Sequence, residues 1–212
     1  MSQISIQNLS FTYPGSHLPV FQGLDLSLDT RWRLGLVGRN GRGKTTLLRL
    51  LAGELAPDGG SVLSCPVTTQ LFPFPPGDTS RTALEVAREA VAPFRRLEEG
   101  METALAEGTP EALFRYGEMQ EQYQNAGGYV IDELVQREAA KLEVREDALA
   151  RPFETLSPGE RVKLLLAALL LRPGGFLLID EPTSHLDSHG RQVVGRYLAQ
   201  GGKGFLLVSH DR

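Results

Sequence analysis

Residues 33–51 read RLGLVGRNGRGKTTLLRLL, and the folding of this stretch decides the rest. Arg33–Val37 alternates a charged start with apolar residues and reads as a compact buried strand. Gly38–Thr45, GRNGRGKT, matches G-x-x-x-x-G-K-[ST] in full. Gly38, Gly41 and Gly43 let the chain turn tightly, so that successive N–H groups across Gly38, Arg39, Asn40, Gly41, Arg42, Gly43, Lys44, Thr45 and Thr46 can converge on one phosphate chain. The run TTLLRLLAG then opens a helix whose positive dipole end faces the same anion, with Gly53 as its stop. In this pattern Lys44 reaches the β- and γ-phosphates of a nucleotide and the Thr45 hydroxyl binds Mg²⁺.

A second chemical stretch is FLLIDEP, Phe176–Pro182. Its apolar run is a buried strand that delivers Asp180 and Glu181 to its carboxyl end, the edge of a parallel sheet where ligands collect. Asp180 is the expected second metal residue. Glu181, beside it, is placed to polarise a water for attack on the γ-phosphate, a role worth about 10²–10⁴ in rate.

Working outward, ISIQNLSFTY and GLDLSLD show the period-2 alternation of half-buried antiparallel strands. Residues 79–150 change texture to amphipathic helices broken at Pro93, Gly108–Pro110 and Gly127–Gly128, with PFPPGDTS as the linker into them. After Leu156, helix, strand, helix and the strand GFLLVS alternate, which implies parallel strands. The chain has 212 residues, a net charge of −4 and one cysteine. Its charge gives no global reason to bind nucleic acid. Cys65 can form no internal disulfide, which suits a reducing, cytoplasmic setting. The N-terminus has no signal-peptide pattern. The longest apolar run, Leu164–Leu171, has eight residues, whereas a membrane-spanning helix needs about 20. No direct membrane insertion is expected.

Between the two chemical stretches lies LSPGE, Leu156–Glu160. In the order GRNGRGKTT, LSPGE, FLLIDEPTSHLD and LLVSHD, the chain resembles the ATP-binding-cassette (ABC) ATPases over nearly its whole length. The resemblance implies an α/β fold: a P-loop NTPase core with a mostly parallel sheet, an N-terminal antiparallel β subdomain and an inserted α-helical subdomain. The expected division is 1–76 and 156–212 for the core and 77–155 for the helical insert. Two cassettes of this family sandwich two ATP molecules. The resemblance therefore implies that Ser157 and Gly159 contact ATP held by a second cassette, that Asp187 in SHLD belongs to the loop linking the two sites, and that Tyr13 stacks on adenine. It assigns His210 to the γ-phosphate, where it helps to position the attacking water. His17, His185 and His189 receive no role. Cassettes of this family continue past that histidine with a further helix and strand, so the chain is expected to be a fragment.

Two departures stand out. Pro158 replaces the usual first glycine of the signature and removes a backbone N–H. At the family's glutamine loop the matching words are LFPF, which puts Phe74 in the glutamine position, with Gln70 as an alternative four residues earlier. RPFETLSPGE, YQNAGGYVIDEL and DEPTSHLDSHGRQVVGRYL look closest to the ABC-F class of soluble tandem ATPases, which act on ribosomes and include antibiotic-resistance proteins. That resemblance implies ribosome or rRNA contact mainly through regions outside this chain. The alternative is the motor subunit of a membrane transporter.

Overall fold

The computed structural model describes residues 3–63 and 67–209. They fall into two compact units: 3–63, 67–74, Gly174–Ser184 and 201–209 in the first, and Pro75–Pro173 with His185–Gln200 in the second. The first contains β1 (Gln3–Phe11), β2 (Phe21–Asp29), β3 (Arg33–Leu36), α1 (Lys44–Leu51), β4 (Gly59–Leu63), β5 (Thr69–Phe72), β6 (Phe176–Asp180) and β7 (Phe205–Val208).

These strands form two sheets. The antiparallel one runs β2-β1-β4, the parallel one β3-β7-β6-β5. The alternation expected in the N-terminal segment is seen in β1, where Ile4, Ile6, Leu9 and Phe11 point into the core. They meet Leu47, Leu48, Leu50 and Leu51 of α1 and Phe176, Leu178, Leu206 and Val208 of the parallel sheet. β6 lies between two neighbours, so Phe176–Ile179 are fully buried, each side chain contributing about 1.5–3 kcal/mol.

The strand expected to be buried at Arg33–Val37 is only half so. β3 sits at the sheet edge, its residues alternate exposed and half-buried, and Val37 beyond it is 54% exposed. Register, more than burial, positions the strand ends. Leu36 pairs with Val208, Val208 with Asp180, and Phe72 with Ile179. The four parallel strands thus end nearly level, and the glycine-rich loop and the acidic pair leave the same edge.

The second unit is helical: α2 (Ala83–Val91), α3 (Phe94–Glu107), α4 (Pro110–Asn125), α5 (Ile131–Lys141), the single turn α6 (Glu146–Leu149), α7 (Pro158–Leu171) and α8 (Ser188–Gln200). Its breaks fall where the sequence places them. Pro93 separates α2 from α3, Gly108 ends α3, and Thr109 with Pro110 starts α4, the threonine hydroxyl accepting from Ala112 N. Thr82 and Glu85 form a capping box on α2. Whereas the sequence reading grouped residues 156–212 with the core, Leu156–Pro173 and α8 pack within the helical unit. The reason is the apolar body of α7: Leu164–Leu169 are buried, and the helix packs on α2 and α5. Among the described residues, no helix is long and apolar enough to cross a membrane.

Candidate active site

The loop after β3 enters α1 through Gly43, which has φ +85°. A Cβ there would come within 2.6 Å of Val20 Cγ1 and 3.0 Å of the Phe21 ring, so both conformation and space require glycine. No side chain caps α1, and no acidic residue lies in its first turn. Its leading N–H groups and dipole are left for an anion. The Lys44 ammonium bends back over the loop and donates to the carbonyls of Gly38, at 2.7 Å, and Arg39, at 3.2 Å.

These residues line a cavity of about 440 Å³ together with residues distant in sequence. Asn40, Gly41, Gly43, Lys44, Thr45 and Thr46 form one side, and Tyr13, Val20, Glu181 and Val208 complete it. Gly38, Arg39 and Arg42 belong to the loop but do not line the cavity. Tyr13 lies edge-on to Phe11, with ring centroids 5.0 Å apart, and its hydroxyl is 3.0 Å from Thr46 Oγ1. Glu181 adopts φ +48°, a left-handed conformation uncommon outside glycine. It begins the turn out of β6, its N–H still donating to Val208 O at 3.0 Å and its carbonyl accepting from Ser184 N at 3.3 Å.

A smaller cavity of about 280 Å³ adjoins at Thr45, which lines both. Asp180 faces this one, with Arg49, Glu54, Leu71, Phe72 and Pro73. The two acidic neighbours are therefore divided, Glu181 to the larger cavity and Asp180 to the smaller. Asp180 Oδ1 is buried with no hydrogen-bond partner among the described residues, an expensive position for a carboxylate oxygen. With the Thr45 hydroxyl it makes a hard-oxygen set suited to Mg²⁺, which characteristically takes one or two protein oxygens and completes its shell with phosphates and water. Among the described residues, no group of three or more histidine, cysteine, aspartate or glutamate side chains is placed to hold a metal ion.

Other expected residues lie elsewhere. Gln70 is near the start of β5, paired with Leu177, and its amide donates to Gly174 O at 3.4 Å. That is the opposite end of the strand from Asp180, so Gln70 does not reach the chemical edge. Phe74 follows the carboxyl end of β5, its ring edge-on to Phe72 at 6.0 Å. Ser157, Gly159 and Asp187 belong to the helical unit. Ser157 caps α7: its hydroxyl accepts from Glu160 N at 3.3 Å and donates to Glu160 Oε2 at 2.7 Å. The bond from the Ser157 hydroxyl, with a second from Ser157 N at 2.9 Å, holds the Glu160 carboxyl below its usual range. Pro158 is the first helical residue, where a backbone N–H has no intrahelical partner to lose. A Cβ on Gly159 would approach Leu186 to 3.1 Å. Asp187 accepts from Gly190 N at 2.7 Å at the start of α8. His210 and Cys65 lie outside the described residues.

Val20 and Val208 are cavity residues that sequence reasoning missed. Val208 was legible only as a strand residue, and its place follows from register with Asp180. Val20 sits just before β2 in no motif, and only the fold carries it to Gly43.

A strand that empties into a glycine-rich loop at a helix start, beside carboxylates from a neighbouring parallel strand, defines a phosphate-loop nucleotide-binding fold. The ABC transporter family model matches residues 21–184, and the chain belongs to that family, whose cassettes are ATP-binding ATPase domains. It is 34% identical, over its whole length and 40% of the relative's, to the tylosin resistance ATP-binding protein TlrC of Streptomyces fradiae. It is 31% identical, over 91% of its length and 35% of the relative's, to the energy-dependent translational throttle protein EttA of Mycobacterium tuberculosis. The chain thus spans about two fifths of the curated relatives it matches. Its fold is similar to that of MJ0796, a bacterial ABC transporter cassette solved as a dimer, with a TM-score of 0.67 at 19% identity, covering 98% of this chain and 88% of that one.

Proposed function

We propose that the chain binds ATP with Mg²⁺ and hydrolyses its β–γ bond as one half of a cassette pair, in a protein of the ABC-F class that acts on the ribosome. The observation that carries the hydrolytic reading is the cavity that gathers Lys44, Thr45, Thr46 and Glu181 beneath an aromatic wall.

In this reading the loop amides and the α1 dipole hold the triphosphate. Lys44 exchanges its two loop carbonyls for phosphate oxygens, so its charge serves the anion without a large movement of the backbone. Thr45 and Asp180 hold Mg²⁺, which when bound neutralises charge on the transferring phosphoryl group. Glu181, on the larger cavity, accepts a hydrogen bond from water and orients it for in-line attack. Tyr13 offers its ring to the base. Ser157 and Gly159, at the start of α7, serve ATP held by a second cassette, with Asp187 on the linking loop and His210 at the γ-phosphate.

The ribosomal reading draws on TlrC, named for tylosin resistance, and EttA, named as a translational throttle. The transporter-motor alternative draws on the family description and on transporter cassettes among the solved neighbours. Co-sedimentation separates them. A Glu181→Gln form of the natural polypeptide should travel with ribosomes in ATP and not in ADP. Its absence from the ribosomal fraction in both nucleotides would overturn the ribosomal reading.

A further inference from the structure

Glu143 stands where glycine is favoured. α5 ends in a left-handed turn: Val144 N donates to Ala139 O and Glu143 N to Ala140 O, both at 3.0 Å, the pair of bonds that closes a helix through one residue of positive φ. That residue is Glu143, with φ +58°, a conformation that costs any residue but glycine. The strain has a visible counterpart. The Glu143 carboxylate reaches a residue 46 positions away, His189, with Oε2 2.6 Å from Nε2. A carboxylate only accepts hydrogen bonds, so Nε2 is the donor.

His189 lies in the first turn of α8, and that turn is bound to the loop before it. Asp187 Oδ1 accepts from Gly190 N at 2.7 Å, Asp187 O from Arg191 N at 3.0 Å, and Leu186 O from Arg191 Nε at 3.1 Å. Leu186 is buried, and it is the side chain that a Cβ on Gly159 would meet at 3.1 Å. A line of contacts therefore runs from the end of α5, through the start of α8, to the loop at Leu186–Asp187 and the first turn of α7, all inside the helical unit. The side chains of Glu143 and His189 are 47% and 63% exposed, and so open an ion pair adds little stability. Stability alone does not account for a strained glutamate in a glycine position.

We infer that Glu143 is a positioning residue: from its left-handed turn it holds His189, and through His189 it sets the loop at Leu186–Asp187 beside Gly159, the surface proposed to serve a second cassette. The inference rests on that paired reading and deepens it. Glu143 lines neither cavity at the sheet edge. Its loss should therefore leave binding of the chain's own nucleotide unchanged and slow the hydrolysis that depends on pairing.

The test compares wild type, Glu143→Gly, Glu143→Gln, His189→Ala and the Glu143→Gly/His189→Ala double variant in the natural polypeptide, by steady-state ATP hydrolysis and by hydrogen exchange. Glycine suits the turn, so Glu143→Gly should leave the end of α5 at least as protected from exchange as in wild type. The Gly190 and Arg191 amides should exchange about 2- to 5-fold faster, and kcat should fall by about 2- to 5-fold with KM unchanged. His189→Ala should lower kcat alike, and Glu143→Gln, which keeps an acceptor for Nε2–H, should recover most of the loss. The double variant should be no worse than either single, because both remove the same contact. Wild-type kcat in Glu143→Gly overturns the inference, as do additive losses in the double variant. Faster exchange throughout α5 and α8 with a raised KM would overturn it too, for the pair would then be a plain structural contact. A wild type that turns over no ATP removes the hydrolytic reading and this inference with it, whereas failure of the inference alone leaves wild-type turnover intact.

Discussion

Glu181 and Asp180 are adjacent in sequence but face different cavities, because the chain turns into the left-handed region at Glu181. That turn gives each carboxylate its own task. Replacing Glu181 with glutamine keeps the shape and removes the acceptor charge. Turnover should fall by about 10²–10⁴ while ATP binding is retained, as single-turnover hydrolysis and equilibrium titration would show. Unchanged turnover would refute the assignment. Gly43 is the second informative residue. Gly43→Ala adds a Cβ 2.6 Å from Val20 in a conformation that costs L-residues about 1–2 kcal/mol. Thermal melts should show destabilisation of at least that size, with ATP binding lost. A variant as stable as wild type would mean that the loop relaxes freely. At this scale the sequence was most legible where a motif fixes the chemistry, as at Lys44 and Thr45. Motif spacing could assign Asp180 and Glu181 different tasks but could not show that they line different cavities, or bring Val20 to the loop, because those placements come from backbone turns and register.

Among the elements, α7 shows how a departure in sequence can be structurally neutral. Pro158 costs the helix nothing at its first position, and the flanking Ser157 and Glu160 close a capping box around it. Ser157→Ala should destabilise the helical unit by about 1 kcal/mol, measured by denaturant unfolding. The box also gives a pH dependence. The hydroxyl and N–H of Ser157 lower the folded-state value of Glu160 below its unfolded value, near 4.3. Its contribution is therefore complete above that pH and is lost as pH falls through the lower folded value. Stability of Ser157→Ala should decline less steeply than wild type below about pH 4.3, and parallel curves would contradict the box. Helix identities were legible from periodicity and from Pro93, Gly108 and Gly127. The short turn α6 and the exposure of β3 were not, since one turn carries no periodicity and an edge position depends on which strands assemble.

For the whole molecule, a working site needs two cassettes if Ser157 and Gly159 serve a partner's nucleotide, as proposed. The chain alone should hydrolyse ATP poorly when dilute, with specific activity rising with protein concentration if copies pair. Full activity in a monomeric sample, established by light scattering, would contradict the shared site. The motif order was sufficient to read the family, because each motif sits at a strand end or helix start that the fold requires. What the ATPase acts upon was not legible in the same way, for no residue of the cavity encodes it. The most direct test of the central claim is equilibrium titration of the chain and its Lys44→Ala variant with Mg-ATP. Binding should be saturable and should weaken by roughly 10- to 100-fold when the charge-assisted contact is removed. Equal affinity in both proteins would contradict that claim.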